Sequence, residues 1–345
     1  MISLSPATRD DDAGIRRLLS STPMPGRIRV RFEREPDYFA GCAPDTQVLV
    51  ARDGARVVGV ACRVIRKLYV NGEAEDVGYL GQLRVDPAYR GRLLTARGYR
   101  VMRELHADGR ARGYYTTIVD GNAQAEGVLV RRARGGVPRY RFLEKLHTLA
   151  IGVHDVVPAS RRPFRRPPAG GVPGEDPAGE GAGGTAGGAP APQTSNLFPA
   201  YSPEGEIVSV DGASAALNDQ RAYKQTVIDG YDRALSLVRP LYNLVGRIRL
   251  PKPNTALNHA YVTHFQAGDE HAARNLIEAL QKRAADFRLD HILLGFTESD
   301  PFLRVARAFK PVEYTSSIYT VAFDDGDDFH DRLLARPRAL DISAL

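Results

Sequence analysis

Apolar positions in the first 155 residues alternate between the two-residue period of a strand and the 3.6-residue period of a helix. The segment QVLVARDGARVVGVACRVIRKLYVNG is dense in β-branched residues and predicts two strands joined at Asp53–Gly54. VGYLGQLRV (Val77–Val85) and YYTTIV (Tyr114–Val119) predict two more strands. Between these two, apolar residues recur at helical spacing from Leu93 to about Arg112. This alternation is typical of an α/β fold.

The second half of the chain repeats part of this order. HAYVTHFQAG and HILLGFT predict strands on either side of a helix over Asp269–Arg288, and YTSSIYTVAF predicts a last strand. The stretch from 221 to 249, which includes KQTVIDGYDRALSLV, reads as helical. Between the halves, the Pro/Gly-rich stretch from Pro158 has almost no apolar side chains, which favours a flexible linker. We therefore predict a first domain at 1–156, a linker at 157–195 and a second domain at 196–345.

An arginine-rich helix start follows the strand that ends at Val85. Arg90, Arg92 and Arg97 lie at the start of that helix, where backbone N–H groups are unpaired and the helix dipole is already positive. Cations are disfavoured at this position unless an anion binds there. A phosphate group suits both the free N–H groups and the arginine forks, so the pattern predicts a phosphate-binding loop.

The run LRVDPAYRGR (Leu83–Arg92) resembles the acyl-CoA-binding motif of the GNAT acyltransferase superfamily. The opening LSPATRDDDAGIRRLL and the pair Asn122 and Ala125 support the resemblance, which covers about residues 1–155. It implies a mixed α/β sheet whose central parallel strand pair splays apart, here in two tandem copies. It also implies acetyl-CoA as the acyl donor, no metal, and a set of cofactor-binding residues: Leu83, Arg84, Val85, Arg90, Gly91, Arg92, Leu93, Leu94, Thr95 and Asn122.

The chain departs from the family pattern at three places. Leu93 stands where the motif has a glycine, and the second half reads Phe265–Glu270 at the corresponding junction, without Arg-x-x-Gly. Acidic residues there repel an anion, so we expect the second half to bind no coenzyme A. The family's usual tyrosine proton donor would fall on Leu129. Tyr140 and Glu75 are the remaining candidates for acid and base, beside a water-mediated base.

The charge pattern and the resemblance together favour one function and leave others open. Residues 1–168 hold 30 Lys and Arg against 18 Asp and Glu, which suits an anionic ligand. We expect an N-acyltransferase in which a small-molecule or protein amine attacks the thioester directly, with its pocket built from a helical region at Gly26–Tyr38, the strand hairpins and the second domain. The alternative is a non-catalytic CoA-binding regulatory or scaffold protein.

Other classes of protein and site fit the sequence poorly. Aromatic residues do not interleave with the basic ones, so nucleic-acid binding is disfavoured. No apolar run approaches the length of a membrane span, and the N-terminus lacks a signal pattern, so we expect a cytoplasmic protein. No cysteine or histidine spacing predicts a metal site. The oligomeric state is left open.

Overall fold

A computed structural model describes residues 1–91, 94–131, 137–153, 195–245, 250–323 and 328–345. The predicted linker at 157–195 lies outside these residues except for Ser195, so the domain boundaries stay a prediction. Arg92 and Leu93 also lie outside them.

The strands form one large and one small sheet. Those of the first half are Ile2–Pro6 (β1), Ile28–Glu33 (β2), Thr46–Asp53 (β3), Arg56–Val70 (β4), Glu73–Val85 (β5), Tyr114–Val119 (β6) and Arg139–Gly152 (β7). Those of the second half are Glu206–Val210 (β8), Ala213–Asn218 (β9), Gln225–Tyr231 (β10), Thr255–Ala256 (β11), His259–Gln266 (β12), His291–Thr297 (β13) and Val312–Ala322 (β14). The large sheet has the order β1-β3-β4-β5-β6-β14-β7-β13-β12-β9-β8, and the small one is β11-β10-β2.

Helices connect these strands and cover the large sheet. They are Asp12–Ser21 (α1), Leu94–His106 (α2), Ala123–Glu126 (α3), Arg233–Val245 (α4), Glu270–Asp286 (α5), Leu303–Arg307 (α6) and Asp328–Leu334 (α7). Helix α5 buries Leu276, Ile277 and Leu280 completely against the second half of the sheet. Helix α2 buries Leu94, Tyr99 and Met102 against the first half. Apolar residues at helical spacing thus supply the core contacts that the sequence predicts.

The central parallel pair splays apart in both halves. Strands β5 and β6 are paired only at Gly78–Tyr114 and at Tyr79–Tyr115, and the two strands then separate. Strands β12 and β13 are likewise paired over only three positions, beginning at His259–His291. The predicted fold, a mixed α/β sheet with a splayed parallel pair in two tandem copies, is confirmed.

The two halves exchange their last strands, a feature that the sequence does not show. Strand β14 of the second half lies between β6 and β7, while β7 of the first half continues the sheet into β13. The pairing of β7 with β13 is antiparallel and runs from Gly152–His291 to Leu146–Thr297 without interruption. One continuous sheet therefore spans both halves.

Two regions predicted as helical contain strands: the prediction was wrong for β2 and for β10, and right for the residues that form α4. The region Gly26–Tyr38 contains β2, and the stretch 221–249 contains β10 before α4 begins at Arg233. The sequence IRVRFE of β2 alternates apolar and charged residues, which is the period of a strand, and β2 finds its partner in β10 of the other half. The alternation within β2 and its pairing with β10 therefore both favour a strand over a helix.

Candidate functional site

The splay opens onto a cavity of about 1140 Å³ between the large and small sheets. One wall consists of the end of β5 (Gly81–Val85), the start of α2 and residues near Asn122. The opposite wall includes the inner face of β2 and β10, together with part of β12. The lining is mostly apolar, with a few polar side chains at defined places, as in a small-molecule site.

The end of β5 is an irregular strand with one free edge. Its pairing with β4 shifts between Cys62–Gly81 and Val60–Arg84, and Gln82 has a φ of +55°. The side-chain oxygen of Gln82 accepts a hydrogen bond of 2.8 Å from the Tyr38 hydroxyl, which fixes this bulge. Beyond Tyr79 no strand of the described residues pairs with the β6 side of β5. Peptide groups of this edge can therefore bind an amide-bearing chain as an added strand.

A short 3₁₀ turn, Pro87–Tyr89, carries the chain from β5 to α2. The Asp86 carboxylate accepts from the Ala88 N–H at 2.9 Å and forms an ion pair of 2.6 Å with Arg56. The Tyr89 hydroxyl donates to Asp53 at 2.8 Å. These contacts hold the turn against the hairpin of β3 and β4, so the start of α2 has a fixed position relative to the splay.

Most residues of the predicted phosphate-binding loop lie beside the cavity, and one of the arginines is engaged elsewhere. Gly91 has a φ of +80°, which favours glycine, and Arg90 is exposed, with its Nε only 3.3 Å from the Val85 carbonyl oxygen. Leu94 is buried while Thr95 lines the cavity, and both lie in the first turn of α2, where N–H groups are unpaired. Arg97, by contrast, donates to the Ile2 carbonyl oxygen at 2.7 Å and is not part of this group.

Asn122 lies at the end of β6, across the splay from β5. Its side-chain oxygen caps α3 by accepting from the Ala125 N–H at 3.1 Å, and the residue lines the cavity. The structure therefore places Asn122 in the same cavity as Leu83, Arg84 and Val85. The local fold around it is a short helical turn that continues as a π-helical segment, Gly127–Arg131.

The two catalytic candidates from the sequence lie in different places. Tyr140 lines the cavity, and its hydroxyl forms a short hydrogen bond with the hydroxyl of Tyr99. Burial, together with the nearby Tyr99, raises the pKa of Tyr140 well above its usual value, so it is a protonated phenol at neutral pH. Glu75 lies near the turn between β4 and β5, is paired with Arg332, and is not among the described residues that line the cavity.

Carboxylates that do line the cavity are engaged with other side chains. Asp120 accepts hydrogen bonds from Lys145, Thr315 and Ser317; these lower its pKa although burial raises it. Glu313 pairs with Arg307 at 2.7 Å, and this hydrogen bond lowers the pKa of Glu313. Both groups are therefore weak bases at neutral pH.

Sequence reasoning missed two buried basic side chains on the small-sheet wall, those of Arg34 and Lys224. Ile28, Val30 and Phe32 are the apolar members of β2 that line the cavity, and Arg34 continues their two-residue spacing. Lys224 reaches the same wall from the residue before β10. The signal was available in the alternation of β2, where Arg34 falls in phase with the apolar residues.

The corresponding groove of the second half is occupied by the chain itself. Ile342, in a 3₁₀ turn near the end of the sequence, packs on Gly295 of β13, where an added Cβ would lie 2.2 Å from its Cγ2. At the strand-to-helix junction, Asp269 caps α5 by accepting from the Ala272 N–H at 2.8 Å. The second half therefore has apolar packing on β13 and a carboxylate at its strand-to-helix junction.

Comparison with known proteins finds a family model that matches part of the first half. Residues 14–134 match the model of the acetyltransferase (GNAT) family. No curated protein matches the chain.

Solved structures with a similar arrangement share few identical residues with this chain. A tandem GNAT protein from the clavulanic acid biosynthesis pathway is 15% identical, covers 93% of this chain and 98% of its own, and has a TM-score of 0.47. N-myristoyltransferase of Saccharomyces cerevisiae with bound myristoyl-CoA is 10% identical, with 93% and 78% coverage and a TM-score of 0.49. A GCN5-related N-acetyltransferase from Kribbella flavida is 13% identical, with 93% and 70% coverage and a TM-score of 0.40. Likenesses of this size carry no information on substrate.

The described residues contain neither a helix suited to a membrane nor a cluster suited to a metal ion. None of the helices there is both long and apolar enough to span a membrane. No group of three or more His, Cys, Asp or Glu side chains in that part of the chain has an arrangement that could hold a metal ion.

Proposed function

Because this chain contains a domain of the acetyltransferase (GNAT) family at residues 14–134, we propose that it is an acyl-CoA-dependent N-acyltransferase. The acyl donor is acetyl-CoA and the acceptor is an amine that attacks the thioester directly. The observation that carries the proposal is the free edge of β5 at Gly81–Val85, which ends at the N-terminus of α2 within one large cavity.

The cofactor is bound along this edge. The pantetheine arm hydrogen-bonds peptide groups of Leu83 and Val85, as an added strand does. The pyrophosphate meets the N–H groups of Gly91, Leu94 and Thr95, and the fork of Arg90 adds a charge-assisted contact. Leu94 supports this arrangement because its side chain is buried while its N–H group lies in the first turn of α2.

Catalysis in this site rests on positioning and on fixed charge. Holding the amine and the thioester in one cavity supplies a large part of the rate acceleration. Arg84, near the end of β5, lines the cavity, and a fixed cation disfavours the ammonium form of a neighbouring amine. The acceptor therefore becomes neutral without a dedicated carboxylate base, and its proton leaves through water. Tyr140, which is protonated at neutral pH, supplies a proton to the departing thiolate.

Calorimetric titration followed by a turnover assay tests the proposal. Acetyl-CoA is titrated into the protein, and amines are then screened for release of free CoA thiol. Binding together with amine-dependent thiol release supports the transferase. Binding without release from any amine supports the non-catalytic alternative, which the paired state of Asp120 and Glu313 favours. Absence of binding overturns both.

A further inference from the structure

Arg34 is a buried cation that has no partner among the described residues. Its side chain belongs to a residue that is 6% exposed, and none of the described residues accepts a hydrogen bond from its guanidinium or forms an ion pair with it. A guanidinium does not lose its proton inside a protein, and an unpaired buried charge is costly. An anion that enters the cavity would balance it.

The outward-facing arginines of the neighbouring strand β2, unlike Arg34, have carboxylate partners. Arg29 and Arg31 point away from the cavity, and both form ion pairs with Asp229 of β10, at 3.4 and 3.3 Å. Arg31 also pairs with Glu33 at 3.0 Å. The chain therefore supplies carboxylates for the outward-facing arginines of β2 and leaves Arg34, the residue that follows this strand, facing the cavity.

A second guanidinium, that of Arg84, lies near Arg34, whereas burial lowers the pKa of the neighbouring Lys224 well below its usual value. Lys224 is 5% exposed and donates to the carbonyl oxygens of Ser343 and Leu345 at 3.0 and 2.8 Å. Arg84 of β5 lines the same cavity and is close enough to Arg34 for the two charges to repel each other. Among the described residues, no Asp or Glu side chain forms an ion pair with Arg34 or Arg84. This part of the cavity consequently attracts an anion.

Arg34 lies on a different wall of the cavity from the residues that we propose to bind the cofactor. The phosphate-binding residues lie at the start of α2, whereas Arg34 lies on the small-sheet wall next to Ile28, Val30 and Phe32. Leu250 and Leu257 extend this apolar surface. A ligand on this wall has an apolar body and a negatively charged end.

We propose that the acceptor is an amine that carries a carboxylate and an apolar side chain, such as a hydrophobic amino acid. This inference rests on the proposed acyltransferase function. Its carboxylate binds the Arg34 fork, its apolar part packs against the inner face of β2, and its amine is directed toward the end of β5. The amine nitrogen forms the new bond to the acyl carbon, and the carbon–sulfur bond breaks. The proton lost by nitrogen goes to water, and the departing thiolate takes a proton from Tyr140.

Steady-state kinetics with paired substrates test this inference. L-Leucine and L-phenylalanine are each compared with leucinamide and phenylalaninamide, using acetyl-CoA and thiol detection. We expect the acids to be preferred in the wild type. Arg34→Gln should lower kcat/KM for the acids by about 10- to 100-fold, mainly through KM, because a hydrogen bond between charged groups is lost. For the amides, kcat/KM should change by less than about threefold. Arg34→Lys, which keeps the charge and loses the fork, should be intermediate.

Controls separate this inference from a folding defect and from the proposed function. Arg29→Gln removes an arginine from the outer face of the same strand and should leave the preference for acids unchanged. Calorimetric affinity for acetyl-CoA should be the same in Arg34→Gln and wild type, which shows that the variant is folded. If amides react as well as acids, or if Arg34→Gln affects both equally, the inference is wrong although the acyltransferase stands. If Arg34→Gln instead lowers only the rate with succinyl-CoA, the carboxylate belongs to the acyl group and the inference is also overturned.

Discussion

Replacing Asp108 by alanine tests the buried ion pair that supports the splay. Arg63 is 1% exposed and donates to both carboxylate oxygens of Asp108, at 2.6 and 2.8 Å. It also donates to Gln47 at 2.7 Å and to the Tyr114 hydroxyl at 3.0 Å. The Tyr114 ring packs on Gly78, where an added Cβ would lie 2.1 Å from Cδ1, at the first parallel pair of β5 and β6. Arg63 thus fixes the residue from which the two strands separate.

The expected loss follows from the geometry of this pair. Removing one partner of a buried ion pair costs about 3–5 kcal/mol, because the other charge is left unbalanced. Asp108 is 30% exposed on its side chain, and Arg63 would keep its contacts with Gln47 and Tyr114. We therefore expect a loss at the lower end, about 3 kcal/mol. Urea denaturation followed by circular dichroism measures this change in the free energy of unfolding.

A matched control removes an exposed carboxylate of the same type. Asp45 pairs with Arg110 at 3.0 Å, and both side chains are more than 40% exposed. Asp45→Ala should cost about 0–1 kcal/mol. If Asp108→Ala costs no more than Asp45→Ala, the buried ion pair does not hold this region together and the reasoning fails.

The pH dependence of the same variant gives a second measurement. The hydrogen bond from Arg63 lowers the pKa of Asp108 below its usual value, against the opposing effect of burial. A lowered folded-state pKa means that the contribution to stability is complete above the unfolded-state pKa, about 3.9, and is lost as pH falls through the folded-state value. The difference between wild type and Asp108→Ala should thus be constant from pH 7 to about 5 and shrink below pH 4.

Three further predictions concern the site and the second groove. Tyr140→Phe should lower the rate of thiol release about 100-fold without changing the calorimetric affinity for acetyl-CoA, since only a proton donor is removed; an unchanged rate would exclude Tyr140 as the acid. Gly295→Ala should lower the free energy of unfolding by about 1–3 kcal/mol because its Cβ would meet Ile342, and adding Ile342→Ala should relieve the clash; additive losses would contradict this packing. Arg34→Leu should raise the free energy of unfolding of the ligand-free protein by about 1–3 kcal/mol, as measured with urea, and a loss would mean that the chain itself balances this charge.

Local patterns in the sequence predict those parts of the fold that depend on neighbouring residues. The strand over Val77–Val85 and the Asn122 cap are both present, because alternation and capping are determined within a few residues. The region of β2 was misread as helical because its partner β10 lies about 200 residues away in the chain, and pairing decides its structure. The exchange of β7 and β14 has the same cause, since nothing near either strand specifies its neighbour.

The candidate site residues were predicted well where their position depends on neighbouring residues, and poorly where it depends on residues distant in the chain. The turn at Asp86–Gly91 follows from its own residues, and the structure brings it to the end of β5 beside Asn122. Glu75 was chosen because it precedes the strand, but its partner Arg332 is 257 residues distant, which spacing does not reveal. Arg34 was overlooked because its region was predicted as helical, and only the three-dimensional fold shows that it faces the cavity.

The most direct test of the central claim compares the acetyl-CoA affinities of two charge-reversal variants. Arg90 and Arg100 are both exposed, the first just before α2 and the second on α2 itself. Calorimetry should show that Arg90→Glu weakens acetyl-CoA binding by about 10-fold or more, because it removes a phosphate contact and adds repulsion. Arg100→Glu, with the same change in net charge, should bind acetyl-CoA nearly as wild type does. Equal affinities for the two variants, or no binding by the wild type, would contradict the assignment of this cavity to an acyl-CoA.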